Sequence, residues 1–72
     1  MDRQKIAQTL INLRGKRTQS EIAKAINISQ SSYAMYETGK RVPCDEVKIA
    51  IAKYYGKTVQ EIFFSQILTI SE

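Results

Sequence analysis

Between Thr18 and Arg41 the chain reads T-Q-S-E-I-A-K-A-I-N-I-S-Q-S-S-Y-A-M-Y-E-T-G-K-R, and this stretch leaves little choice of local structure. Thr18 followed by Glu21 is a capping box, in which threonine and glutamate each satisfy an exposed amide of a first helical turn. Ile22, Ala23 and Ile26 then make a narrow apolar stripe. Asn27 stands where a glycine would be expected, and asparagine is the next-best residue for positive φ, so the helix can stop sharply there. Ser29 caps a second helix, with Ile28 packed into the angle between the two. Tyr33 and Tyr36 are one turn apart and face inward. At roughly 100° per residue, Ser31, Ala34, Met35 and Thr38 point outward, with Gln30 at the helix start. Gly39 closes the unit. Two short helices joined by a tight turn are predicted.

The flanks read as scaffolding for this unit. A first helix is expected from Asp2, an N-cap, to Arg14, burying Ile6, Leu10 and Leu13 with Ala7 beside them. Gln4, Gln8 and Asn12 mark its wet face, and Gly15 ends it in the left-handed conformation. Beyond Pro43, the residues Cys44, Asp45 and Glu46 open a fourth helix with negative charge at the positive end of its dipole. Val47, Ala50, Ile51 and Tyr54 form its main stripe, and Ile49 and Ala52 add apolar surface, which predicts the most buried helix of the chain. Gly56 stops it. Thr58 with Glu61 is a second capping box, and Val59, Ile62 and Phe63 give a short fifth helix. Ile67, Leu68, Thr69 and Ile70 suit an extended segment better than a helix. The fold class expected is all-α, one domain over 1–64 with a tail over 65–72 that holds one short strand.

Composition narrows the function classes. A 72-residue chain with 43% apolar residues is one small domain, and a core of that size leaves stability marginal. One cysteine and no histidine offer neither a disulfide nor a metal site. The commonest acid–base side chain is missing, the carboxylates are accounted for by caps and dipoles, and no glycine-rich phosphate loop occurs, so an enzyme and a bound cofactor are not expected. Cys44 reads as an ordinary residue at a cap-like position. The aromatic residues fall at helical spacing beside aliphatic ones and read as core rather than as a stacking platform. No apolar run approaches a membrane span, and a cytoplasmic setting is the expectation. Net charge is +4, with Arg14, Lys16 and Arg17 before the central stretch and Lys40 and Arg41 after it, as phosphate-contacting groups would be placed. A short helix with small outward side chains suits a major groove about 12 Å wide. Its face carries no arginine or lysine, so Gln30 is expected to read adenine, with Ala34 and Met35 against thymine methyls.

The pattern T-Q-S-E-I-A-K-A-I…S-Q-S-S-Y-A-M-Y-E-T-G-K-R…P…I-A-K-Y-Y-G…V-Q-E-I-F resembles the Cro/repressor (XRE-type) helix-turn-helix family over about Leu10 to Phe64. The resemblance implies a five-helix lambda-repressor-like DNA-binding domain whose third helix reads an operator in double-stranded DNA. By position, Gln30, Ser31, Ala34 and Met35 would read bases. Gln19 would bind phosphate and brace the first base contact. Lys40 and Arg41 would bind phosphate, joined by Arg17 and by the helix start at Ser29. Glu37 matches the glutamate that ties the motif to helix one through an arginine; Asn12 occupies the ungapped position and Arg14 is the other candidate. A transcriptional regulator, a repressor acting as a homodimer with no small-molecule ligand, is the expectation. Phe63, Phe64, Ile67, Leu68 and Ile70 are the candidates for the dimer contact. The alternative is a protein-interaction module that uses the same fold without DNA.

Overall fold

The computed structural model describes residues 2–64. Four α-helices and a closing turn follow in order: α1 Arg3–Arg14, α2 Gln19–Ala25, α3 Gln30–Glu37, α4 Asp45–Tyr55 and α5 Gln60–Phe64. No strand occurs among the described residues. The segment expected to be a strand, with Ile67, Leu68 and Ile70, lies outside them.

Every helix but α4 starts where a short polar side chain replaces a missing backbone acceptor. The amides of Gln4 and Lys5 donate to Asp2 Oδ1 at 2.9 and 3.2 Å. Glu21 N–H donates to Thr18 Oγ1 at 3.0 Å and Ser32 N–H to Ser29 Oγ at 3.1 Å. The second capping box closes in both directions, Thr58 N–H to Glu61 Oε1 at 2.9 Å and Glu61 N–H to Thr58 Oγ1 at 3.0 Å. The bond from the Thr58 amide, with the Thr58 hydroxyl beside it, holds the Glu61 carboxyl below its ordinary range. Cys44 precedes α4 without any such bond.

The helix ends are equally local. Asn27 takes φ +63°, the amide of Ile28 donates to the Ala23 carbonyl at 2.9 Å, and Asn27 N–H to that of Lys24 at 3.2 Å. This is a Schellman closure, and it reverses the chain between α2 and α3 within four residues. Gly15 has the expected positive φ but a ψ of −123°, outside the left-handed helical well and in a region that side chains exclude.

One core holds the layers together. Ile6 and Leu10 of α1, Ile22 and Ala23 of α2, Tyr33 and Tyr36 of α3, Ile51 and Ala52 of α4, and Ile62 and Phe63 of α5 are all buried in it. α1 and α2 both pack on α3, and α5 packs on α1.

Two expectations need correction. α4 is turned by one residue, about 100°, from its predicted face: Lys48, Ile51 and Ala52 are buried, with Tyr55 packed against the core, whereas Ile49 is 59% and Tyr54 38% exposed. Lys48 can occupy the inner face because its ammonium lies over the rings of Phe63 and Phe64, 5.8 and 5.4 Å from their centroids, and 3.8 Å from Asp45 Oδ1. The fifth element is a single π-helical turn rather than an α-helix, and it drives Phe63 into the core at 1% exposure. Phe63 is therefore buried in the core and not offered at the surface as a dimer contact would require; Phe64 is partly buried against the same core.

Candidate nucleic-acid interface

α3 is the element whose two sides have separate jobs. Its inner side carries Tyr33, Tyr36 and Glu37, all buried. Gln30 and Ser31 at its amino end are exposed, Ala34 and Met35 are half-buried, and Thr38 is exposed at its close. No charged side chain stands on that outer side, which offers an amide, two hydroxyls and a strip of apolar surface. The hydroxyl of Ser29 is already used: it accepts from Ser32 N–H and lies 2.9 Å from Ser32 Oγ. At the other end the amides of Lys40 and Arg41 both donate to the Met35 carbonyl, at 3.0 and 3.3 Å. That closure sets two exposed cations directly beside the end of α3.

The motif is locked from beneath by an ion pair. Arg14 Nε lies 2.7 Å from Glu37 Oε2 and its Nη2 lies 3.1 Å from Oε1, a two-pronged contact. Arg14, not Asn12, therefore answers Glu37; Asn12 is exposed and accepts from the Gln8 side chain at 3.3 Å. Gln19 Nε2 adds a third donor to Glu37 Oε1 at 3.0 Å. Burial alone would raise the Glu37 carboxyl, but the bonds from Arg14 and Gln19 outweigh it and hold the group below its ordinary range. The same contact raises the Arg14 guanidinium. The Tyr33 hydroxyl is near enough to feel the carboxylate, yet it completes no hydrogen bond with a protein group. Burial, with that neighbouring charge, pushes the Tyr33 phenol far up.

Two of the residues assigned to phosphate by sequence have partners inside the protein. Gln19 points its amide nitrogen at Glu37. Arg17 lies over the Tyr54 and Tyr55 rings, 5.7 Å from each centroid, and its Nη1 donates to the Leu13 carbonyl at 3.3 Å. Arg17 remains exposed, but its guanidinium rests on α4. Sequence reasoning missed the Tyr54–Tyr55 shelf because Tyr54 was placed inside; the adjacent tyrosines at the end of α4 were its signal.

The order of elements, the capped turn and the arginine-locked third helix are those of a DNA-reading module. A family model described as helix-turn-helix matches residues 5–62. The chain belongs to the XRE-type helix-turn-helix family. No curated protein and no solved structure matches it. As a member of that family it is a DNA-binding regulator, and the family is regulatory rather than enzymatic. In this helix-turn-helix domain α2 and α3 are the two helices joined by the tight turn. Among the described residues no helix is long and apolar enough to cross a membrane, and no group of three or more metal-binding side chains is assembled.

Proposed function

We propose that the chain is a sequence-specific repressor that inserts α3 into the major groove of a two-part operator as a homodimer. The observation that carries this is the outer side of α3, where Gln30 and Ser31 are exposed at the amino end of a helix that is seated on the core by Tyr33 and Tyr36 and tied at its far end by the Arg14–Glu37 pair. Gln30 reads adenine through its amide; Ser31 adds a second polar contact, and Ala34 and Met35 lie against thymine methyl groups. Lys40 and Arg41 meet phosphates beside the groove, and the amino end of α3 at Ser29 offers its first amides to another. A single module buries only about 600–1,000 Å² against DNA, which favours two copies on one site. Phe64 and the residues after it are the surface we assign to that pairing.

Selection of bound sequences from random duplex DNA tests the whole reading. Paired half-sites about 34 Å from centre to centre are expected, with A·T pairs where α3 reaches the bases. Gln30→Ala should weaken the selected site by about 1–3 kcal/mol and relax preference at one position. A selected G·C pair there, unchanged by the substitution, would refute the assignment. Lys40→Ala should lower affinity for all sequences alike and reduce the slope of log K against log salt by about one unit, measured by fluorescence anisotropy between 50 and about 200 mM salt. A change of sequence preference would show that Lys40 reads bases instead.

A further inference from the structure

The outer side of α4 leaves apolar surface open. Ile49 is 59% and Tyr54 38% exposed there. Beside them Ala25, Ile26 and Asn27 at the end of α2, with Ala50, Lys53 and Tyr54 of α4, line an open groove of about 370 Å³. At about 100° per residue, Ile49, Lys53, Ala50 and Tyr54 follow one another round the helix, from about 100° to about 240° away from the buried Lys48. They make one apolar track with positive charge toward the carboxyl end of α4, where Lys53 lines the groove and Arg17 rests on the Tyr54 ring. Glu46, one turn before Ala50, marks the other end of the track with a carboxylate.

Residues 65–72, S-Q-I-L-T-I-S-E, follow directly on Phe64 and lie outside the described part. They bring three large aliphatic side chains, one carboxylate and no cation, which complements an apolar track with cations at one end. Resting on the homodimer reading, we propose that the segment after Phe64 of one copy docks across α4 of a second copy, so that each chain gives a segment and receives one. Extended, the segment sets Leu68, Ile70 and Glu72 on one side at two-residue intervals. Leu68 and Ile70 cover Ile49 and enter the groove, and Glu72 falls at the Lys53 end, away from Glu46. The contact is made between copies because Phe64 lies on the other side of α4, its ring centroid 5.4 Å from the Lys48 ammonium. Turning back round a helix about 10–12 Å across covers roughly 17 Å, or about five extended residues, so a chain reaching its own groove would spend Ile67 and Leu68 on the way.

Cysteine variants of the full chain test this in a Cys44→Ser background, since Cys44 is exposed. Ala50→Cys puts a thiol in the groove and Ile70→Cys puts one in the segment. Mixed and oxidised, the two proteins should give a disulfide-linked heterodimer on a non-reducing gel, well above the linkage that either gives alone. A chain carrying both substitutions should give linked dimers. Closure of that chain on itself as a monomer would overturn the inference in favour of docking within one copy. Linkage of Ile70→Cys to itself, with none to Ala50→Cys, would overturn it in favour of pairing between the two segments. Ile49→Ser supplies a second measurement that spares the fold, because the side chain is mostly exposed in the single chain. The dimer Kd from sedimentation equilibrium should rise about tenfold or more, and an unchanged Kd would remove α4 from the interface. A wild-type chain that stays monomeric at every concentration and on DNA is a different result, which removes the homodimer reading and this contact with it.

Discussion

Phe63→Ala is expected to melt the domain rather than to release a dimer. The ring is 1% exposed, sits in the core with Ile62, and carries the Lys48 ammonium 5.8 Å from its centroid. Removing it deletes a large buried side chain, at a cost of about 3–5 kcal/mol, and it leaves Lys48 with only the Phe64 ring and the solvent-exposed Asp45 as partners. A 72-residue domain has a total stability of about 4–11 kcal/mol. The variant should therefore be substantially unfolded at 37 °C by circular dichroism, at any protein concentration. Native helicity with an altered monomer–dimer equilibrium would return Phe63 to the surface role the sequence suggested.

Arg14→Ala should be nearly as damaging. The Glu37 side chain is 4% exposed and that of Arg14 23%, so the substitution strands a buried carboxylate with only Gln19 beside it. Breaking a pair of this kind costs about 3–5 kcal/mol, and the partial exposure of Arg14 places the expectation at about 3. For a domain of this size that lowers Tm by about 12–24 °C. The effect has a definite pH dependence. In the wild type the Glu37 carboxyl is held below the ordinary carboxylate range, so its contribution is fully present above that range and is lost as pH falls through the lowered value. In Arg14→Ala burial acts without its main counterweight and pushes the same group upward, so protonation costs the fold less. The difference in Tm between the two proteins should shrink as pH is taken from 7 to about 4. Joint replacement of Arg14 and Glu37 by methionine should recover much of the loss, because no buried charge remains.

The lock and the core explain what was legible in the chain and what was not. Caps are local: Asp2, Thr18, Ser29 and the Thr58–Glu61 pair bind amides two or three residues away, so their identity and spacing suffice to place four helix starts. Chain reversal at Asn27 is local for the same reason. The outer side of α3 was also legible, since Tyr33 and Tyr36 leave only one side for Gln30 and Ser31.

The face of α4 was not. D-E-V-K-I-A-I-A-K-Y-Y carries two overlapping stripes one residue apart, and nothing within the helix separates them. The choice fell to Phe63 and Phe64, which come from a π turn and offer an aromatic surface that suits an ammonium better than an isoleucine. Nor could spacing choose between Asn12 and Arg14, because their distance from Glu37 depends on how α1 is rotated against α3. By itself, then, the sequence determined the helices, their order and the family, which rest on caps, turns and spacings a few residues apart. Only the tertiary structure decided which charges are buried, which arginine secures α3 and which way Gln19 presents its amide, because those depend on groups far apart in the chain meeting in space.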